Sequence, residues 1–222
     1  MQGQTIGAGA VAVDAPWASW RSAWSRLKGA WMLLMEQARE GREIDGAVLR
    51  RARHGDHGAF HEIVDHYEGR LRVLAYHLLR DSGQMNDALQ DTFVKAWAGL
   101  PDFRGDAALG TWLHRICYRI CLDYLRRQKV RPAGEELAEH IADPADDVES
   151  LALRDQVSEA LGRLPVEQRA VLLLVDREGY DYGSVAQALE VPVGTVASRL
   201  SLARAAMRSV LRPDESGEGE SR

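Results

Sequence analysis

Arginines near the carboxyl end of the chain are the residues whose type and spacing best suit the binding of an anionic partner. Arg199, Arg204, Arg208 and Arg212 recur through residues 192–212, which contain no acidic residue. A guanidinium group pairs with phosphate oxygens and can also bind the acceptor edge of guanine. The pattern therefore favours DNA binding, although a solvated basic helix face would carry the same arginines.

These arginines follow a segment with the register of a helix-turn-helix, YGSVAQALEVPVGTVASRLS at residues 182–201. The apolar positions that would form its miniature core are Val185, Leu189, Val191 and Val196. Small Ala186 lets the two helices cross closely. The turn position, which is often glycine, is Glu190, and Pro192 suits the first turn of the next helix. The spacing predicts two helices, of which the second reads DNA.

The preceding part of the chain is helical by its apolar periodicity. Apolar residues recur at helical spacing from Asp45 to Arg80, with a break at Gly55–Asp56. The pattern predicts a third helix from about Asn86 to Leu100, a loop at 101–108 and a fourth helix from about Leu109 to Gln128. No alternating strand pattern occurs in the sequence, so the predicted fold class is all-α.

Charge divides the 222 residues into two small helical domains joined by a flexible acidic linker. The net charge is −5, yet residues 45–129 and 150–212 are each mildly basic. Between them, residues 130–149 hold seven acids and one base, and an acidic tail at 213–222 is predicted to be disordered. The length suits two domains of this size.

Residues 1–44 carry a tryptophan-rich pattern at helical spacing. Its members are Trp17, Trp20, Trp24, Leu27, Trp31 and Leu34. Such a segment fits an interfacial membrane helix or a docking helix for a regulator. Alternatively, translation starts at Met32 or Met35 and most of the segment is not made. No run approaches the ~18 apolar residues of a membrane span and no signal peptide is recognisable, so we expect a cytoplasmic protein.

Two groups of side chains have spacings that a metal could use. They are His57, His61 and Asp65 on one predicted helix, and His114, Cys117 and Cys121 on another. Neither group has the paired clusters of a structural zinc site. No nucleophile–base pair and no phosphate-binding glycine loop occurs either. We therefore expect no catalytic residue, no metal and no cofactor.

Three ordered motifs resemble bacterial RNA polymerase sigma factors of the extracytoplasmic-function (ECF) group, over residues 45–212. Two of them, typical of sigma region 2, are DALQDTFVKAW at 87–97 and FRG, TWLHRI and DYLRR within 103–127. The third, typical of region 4, is LPVEQR at 164–169 with GTVASRL at 194–200. The segment LPVEQRA also resembles the corresponding segment in an actinobacterial, SigM-like branch of these factors. The resemblance implies a subunit that directs polymerase to −35 and −10 promoter elements and opens the duplex.

The resemblance implies three sets of binding residues in region 2. The set that docks on the clamp helices of the largest polymerase subunit is Asp87, Gln90, Asp91, Thr92 and Lys95, expected opposite the apolar stripe. The loop that captures a flipped base of the −10 element is Phe103, Arg104, Gly105, Asp106 and Ala107. The partners of the single-stranded −10 backbone are Arg115, Arg119, Arg126 and Arg127. We expect Trp112 to pack beneath the loop.

In region 4 the resemblance implies that the recognition helix reads the −35 element. Thr195, Ser198 and Arg199 lie in its first turns, and Arg199 is the candidate for a guanine contact. Arg204 and Arg208 are expected to touch phosphates. Ala197 and Leu202 stand where the family often has lysine and arginine, and Arg119 stands where it often has asparagine.

The implied partners are core RNA polymerase, through its clamp helices and the flap of the second subunit, promoter DNA, and an anti-sigma factor that is often membrane-bound. No small-molecule substrate is expected. The acidic linker either mimics nucleic acid in the polymerase cleft or acts as a spacer. The alternative functions are a free-standing helix-turn-helix repressor or activator and, more remotely, a metalloenzyme that uses the His57 and His61 face.

Overall fold

The computed structural model describes residues 44–128 and 148–210, and no strand occurs in these two ranges, as the all-α prediction requires. The first bundle consists of α1 (Gly46–Arg53), α2 (His57–Leu79), α3 (Ser82–Gly99) and α4 (Leu109–Gln128). The second bundle consists of α5 (Val148–Gly162), α6 (Val166–Leu172), α7 (Tyr182–Leu189) and α8 (Val193–Val210). The predictions for the tryptophan-rich segment, the linker, the tail and Arg212 lie outside the described residues.

Aspartates set the starts of four helices. Asp45, Asp56, Asp81 and Asp181 each accept a hydrogen bond from a backbone N–H in the first turn of the helix that follows. Gly55, at φ +88°, completes the turn between α1 and α2 at the predicted break. The predicted start of the third helix at Asn86 is wrong, because the Asp81 cap begins α3 at Ser82.

The core of the first bundle lies between α2, α3 and α4. Its fully buried side chains include Ile63, Tyr67, Leu71, Leu100 and Leu113. A short 3₁₀ turn, Leu100–Asp102, ends α3 and leads into the loop before α4. The three helices thereby hold the outer face of α3 and the loop after it in fixed positions.

The second bundle contains the predicted helix-turn-helix. Val185, Leu189 and Val196 are buried, and Glu190 ends α7 in the left-handed conformation at φ +56°. After α6 the chain makes one wide π-helical turn, Leu173–Arg177, before the loop to α7. This wide turn places Asp176 beside α8.

The two bundles pack directly on each other, which the sequence pattern did not predict. The helix α4 lies against α7, and α2 lies against α5 and α6. A side chain at Gly110 in α4 would collide with the hydroxyl of Tyr180 and lie 3.1 Å from the ring of Tyr67. The absence of a side chain at Gly110 is therefore what allows the bundles to approach this closely.

Candidate nucleic-acid and partner interface

The outer face of α3 presents four of the five residues predicted to dock on polymerase. Asp87, Gln90, Asp91 and Lys95 are exposed. The expected placement opposite the apolar stripe is wrong for Thr92, which is fully buried and whose hydroxyl donates to the carbonyl of Ala88 at 2.6 Å. The helical period could have shown this, because position 92 follows the buried positions 85, 88 and 89 on the same stripe.

One apolar residue on this face was missed by the sequence reasoning. Val94 is 61 % exposed among the charged side chains of α3. Nearby, the hydroxyl of Tyr124 in α4 donates to the carboxylate of Asp91 at 3.1 Å. Desolvation, and after it the hydrogen bond to Asp91, raise the pKa of Tyr124. An exposed apolar residue ringed by charges is typical of a protein-docking face.

The loop between α3 and α4 divides into a buried anchor and an exposed tip. Phe103 is buried against Trp112, with 5.2 Å between their ring centroids, so its side chain does not face outward as a base-contacting residue would. Trp112 packs beneath the loop as predicted. The exposed residues of the tip are Arg104, Gly105 and Asp106, with Ala107 half-buried.

The predicted partners of the −10 backbone on α4 fall into two pairs. Arg126 and Arg127 are exposed near the end of the helix, where Arg126 pairs with Asp123 at 2.9 Å. The guanidinium groups of the other pair, Arg115 and Arg119, are partly exposed, and both contact the carboxylate of Glu190 in the second bundle. The hydrogen bond from Arg119 is the largest cause that lowers the pKa of Glu190.

The recognition helix α8 places its predicted reading residues near its first turn. Ser198 is exposed, and Thr195 and Arg199 are half-buried. Arg204, expected to contact phosphate, is half-buried; its Nε donates to Asp176 at 3.0 Å, and this hydrogen bond raises the pKa of Arg204. Arg208 is exposed farther along.

Exposed apolar residues also occur on the recognition helix. Leu202 is 58 % exposed and Val193 is 50 % exposed. Leu202 therefore lies on the outer face of α8, where arginine is common in the family. The charge available for DNA on this face is smaller than the arginine pattern of the sequence indicated.

A buried polar cluster lies where the bundles meet. Glu178 is 3.5 Å from Arg70 of α2 and also pairs with Arg177 at 2.5 Å, and the three side chains are almost fully buried. His114 of α4 lies beside Tyr180, and burial lowers the pKa of His114. No local pattern in the sequence predicts this cluster, because Arg70 and Glu178 are more than a hundred residues apart.

The candidate metal ligands have other neighbours. His57 stacks on Trp97 with 4.6 Å between ring centroids, and His61 is 3.8 Å from Asp65 on the surface. Cys117 and Cys121 are buried free thiols. The described residues contain no group of three or more histidine, cysteine, aspartate or glutamate side chains that could hold a metal ion. In the same residues, no helix has the length and apolar character of a membrane span.

Comparison with known proteins matches both halves of the chain to one family. The model for sigma-70 region 2 matches residues 63–131, and the model for sigma-70 region 4 matches residues 154–207. The ECF RNA polymerase sigma factor SigM of Mycobacterium tuberculosis (strain H37Rv) is 40 % identical over 167 residues, which cover 75 % of this chain and 84 % of that protein. The sigma-E factor of Escherichia coli (strain K12) is 31 % identical over 182 residues, which cover 76 % and 95 %.

Two solved structures are similar to this chain over about the same fraction of its length. CnrH, in complex with the cytosolic domain of CnrY, has a TM-score of 0.58 at 27 % identity and covers 74 % of this chain and 95 % of its own. RpoE of Bartonella quintana, in complex with the anti-sigma factor NepR, has a TM-score of 0.61 at 25 % identity and covers 70 % and 98 %. Because both sigma regions occur in order and named relatives align over most of their length, the chain belongs to the sigma-70 family as an ECF RNA polymerase sigma factor.

Proposed function

We propose that this chain binds core RNA polymerase, recognises −35 and −10 promoter elements and opens the promoter for transcription initiation. Sigma factors are initiation factors and not enzymes, and we propose no catalytic residue, metal or cofactor for this chain. The observation that carries the proposal is the pairing of an exposed docking face on α3 with a helix-turn-helix in α7 and α8. The first would bind polymerase and the second would bind DNA.

The docking face supplies charge and one apolar contact to the polymerase. Asp87, Asp91 and Lys95 surround exposed Val94 on a rigid helix, and such a face suits the clamp helices of the largest subunit. We propose that the second bundle binds the flap of the second subunit, so that the two bundles are held at the spacing of the promoter elements. The boundaries of the two domains are proposed at 45–129 and 150–212.

Promoter opening requires compensation for lost base stacking. Extrusion of one base costs a few kcal/mol, which a protein pocket and backbone contacts offset. We propose that the loop tip at Arg104, Gly105 and Asp106 holds the flipped base. Arg115, Arg119, Arg126 and Arg127 then bind the phosphates of the displaced strand.

On the −35 element, α8 would lie in the major groove with its first turns against the bases. Ser198 and Arg199 are the proposed base contacts, with Thr195 beside them and Arg208 on phosphate. Arg204 would support the fold of the helix-turn-helix through Asp176 and would not contact DNA.

An anti-sigma factor is the proposed inhibitory partner. RpoE of Bartonella quintana is solved in complex with the anti-sigma factor NepR, and CnrH with the cytosolic domain of CnrY. We propose that this chain acts in the cytoplasm and is held there by a regulator of the same kind, which can be membrane-bound.

The test is transcription by purified core polymerase on genomic DNA of the source organism, with start sites mapped by sequencing. Addition of this chain should produce transcripts whose start sites follow shared −35 and −10 sequences. A free-standing repressor or activator would instead bind duplex sites without polymerase and produce no such transcripts. Asp87→Lys should weaken co-purification with core polymerase about tenfold, whereas Asp65→Lys, at an exposed aspartate on α2, should not.

A further inference from the structure

The carboxylate of Glu190 joins the two bundles at a site on α4. It accepts from Arg119 through Nε at 2.9 Å and through Nη2 at 2.5 Å, and it also accepts from Nη2 of Arg115. Glu190 is the residue that ends α7, in the turn of the helix-turn-helix, and the recognition helix begins three residues later at Val193. A residue of the −35 reading unit therefore contacts two arginines of the proposed −10 surface.

The geometry is that of an anion bound by two guanidinium groups. Arg119 uses Nε and Nη2 together, which is the edge that an arginine presents to a carboxylate or a phosphate. That edge cannot bind a second anion at the same time. The oxygens of Glu190 thus occupy the anion-binding edge of Arg119.

We propose that Glu190 is a built-in competitor of promoter DNA at the Arg115 and Arg119 site. While the bundles are packed together, the carboxylate holds both arginines and binding of the −10 strand is weak. DNA binding, or separation of the bundles on polymerase, exchanges the carboxylate for phosphate. This inference rests on the proposed function, since it assumes that the two arginines contact DNA.

The exchange is feasible because the contact is exposed. The side chains of Arg115, Arg119 and Glu190 are 43 %, 56 % and 39 % exposed, and such ion pairs are weak compared with a run of DNA phosphates.

Some polar atoms elsewhere in the interface lack partners. His114 Nε2 and Arg177 Nε are buried there without a hydrogen-bond partner, and Glu178 Oε2 has an ion-pair contact to Arg70 Nε at 3.5 Å but no hydrogen bond, which adds a cost to burial of the interface.

Two substitutions at Glu190 can remove the carboxylate. Glycine adopts the left-handed conformation at φ +56° and ψ +46° at least as readily as glutamate, so Glu190→Gly should keep the turn. Glu190→Gln keeps the size of the side chain and removes the charge. Glu159→Gln is the matched control, because Glu159 is an exposed glutamate of the second bundle that pairs with Arg163 at 2.7 Å in its own helix.

The experiment measures binding of the full chain to a fluorescein-labelled, 15-nucleotide single-stranded DNA of mixed sequence by anisotropy. Glu190→Gln and Glu190→Gly should bind about three- to tenfold more tightly than the parent chain. Glu159→Gln should bind as the parent does, which separates the local contact from the change in net charge. In an Arg119→Gln background the gain from Glu190→Gln should largely disappear, because the two side chains act through one contact.

Equal affinity for Glu190→Gln and Glu159→Gln would overturn the proposal, as would a full gain in the Arg119→Gln background. The proposed function is judged separately with core polymerase. If the parent chain and Glu190→Gln support promoter-dependent transcription but Glu190→Gln gains no DNA affinity, the competitor is refuted and the sigma function stands. If no variant binds core polymerase, the proposed function itself fails.

Discussion

Replacement of Gly110 by alanine tests the close packing of the two bundles. Two effects oppose each other at this position. Alanine in place of glycine stabilises a helix by up to about 1 kcal/mol. However, the new methyl would meet the Tyr180 hydroxyl and lie 3.1 Å from the fully buried Tyr67, which has no room to move. Overpacking of this kind costs about 1–3 kcal/mol, so after the helix gain is subtracted Gly110→Ala should lower the free energy of unfolding by roughly 0–2 kcal/mol.

Gly69 supplies the matched control for this substitution. It lies within α2, is exposed, and a methyl added there meets no atom within 4 Å. Gly69→Ala should therefore raise the free energy of unfolding by about 0.5–1 kcal/mol. Urea denaturation followed by circular dichroism measures both variants. If Gly110→Ala proves as stabilising as Gly69→Ala, the bundles do not pack as described and the reasoning is refuted.

Three further predictions concern stability at low pH, the charge on the recognition helix α8 and the docking face of α3. Burial lowers the pKa of His77 to about 3 and also lowers the pKa of His114. As the pH drops, these histidines therefore take up protons in the unfolded chain before they do so in the folded chain. The free energy of unfolding should fall between about pH 6.5 and pH 4, by up to ~1.4 kcal/mol per pH unit for each histidine. Chemical denaturation across this range would show it, and a stability that stays level would contradict it. Leu202→Arg should tighten binding to duplex promoter DNA and steepen its salt dependence by about one unit of log–log slope, whereas Leu202→Gln should not. Thr92→Val should leave binding to core polymerase unchanged while Asp91→Ala weakens it in the same co-purification assay, because only Asp91 is exposed; a loss with Thr92→Val and not with Asp91→Ala would reverse this assignment.

Much of the fold follows from local chemistry. Aspartate caps and a glycine turn mark where helices begin, and the apolar period identified α4 from Leu109 to Gln128 without error. The helix-turn-helix was predictable because its core positions lie within one short segment. The start of α3 was missed because the first turn after the Asp81 cap is polar, and Met85 is the first apolar residue of the helix.

Side-chain partners across the chain were not predictable in this way. Periodicity assigns a residue to a face of its own helix, but it does not say which other helix covers that face. Asp176 and Arg204 are 28 residues apart, and Arg115 and Glu190 are 75 apart. The sequence therefore identified the arginines as anion ligands and could not show that carboxylates of the same chain bind them.

The wide turn at Leu173–Arg177 constrains how this segment can change in length. Adjacent residues on it serve different neighbours, since Asp176 reaches α8 while Arg177 and Glu178 turn toward α2. A π-helical turn accommodates one residue more than an α-helix would at the same place. Deletion of a single residue would rotate the following side chains by about 100° and exchange these neighbours. Insertions and deletions should therefore be rarer here than in the loop before α4 when related genes are compared.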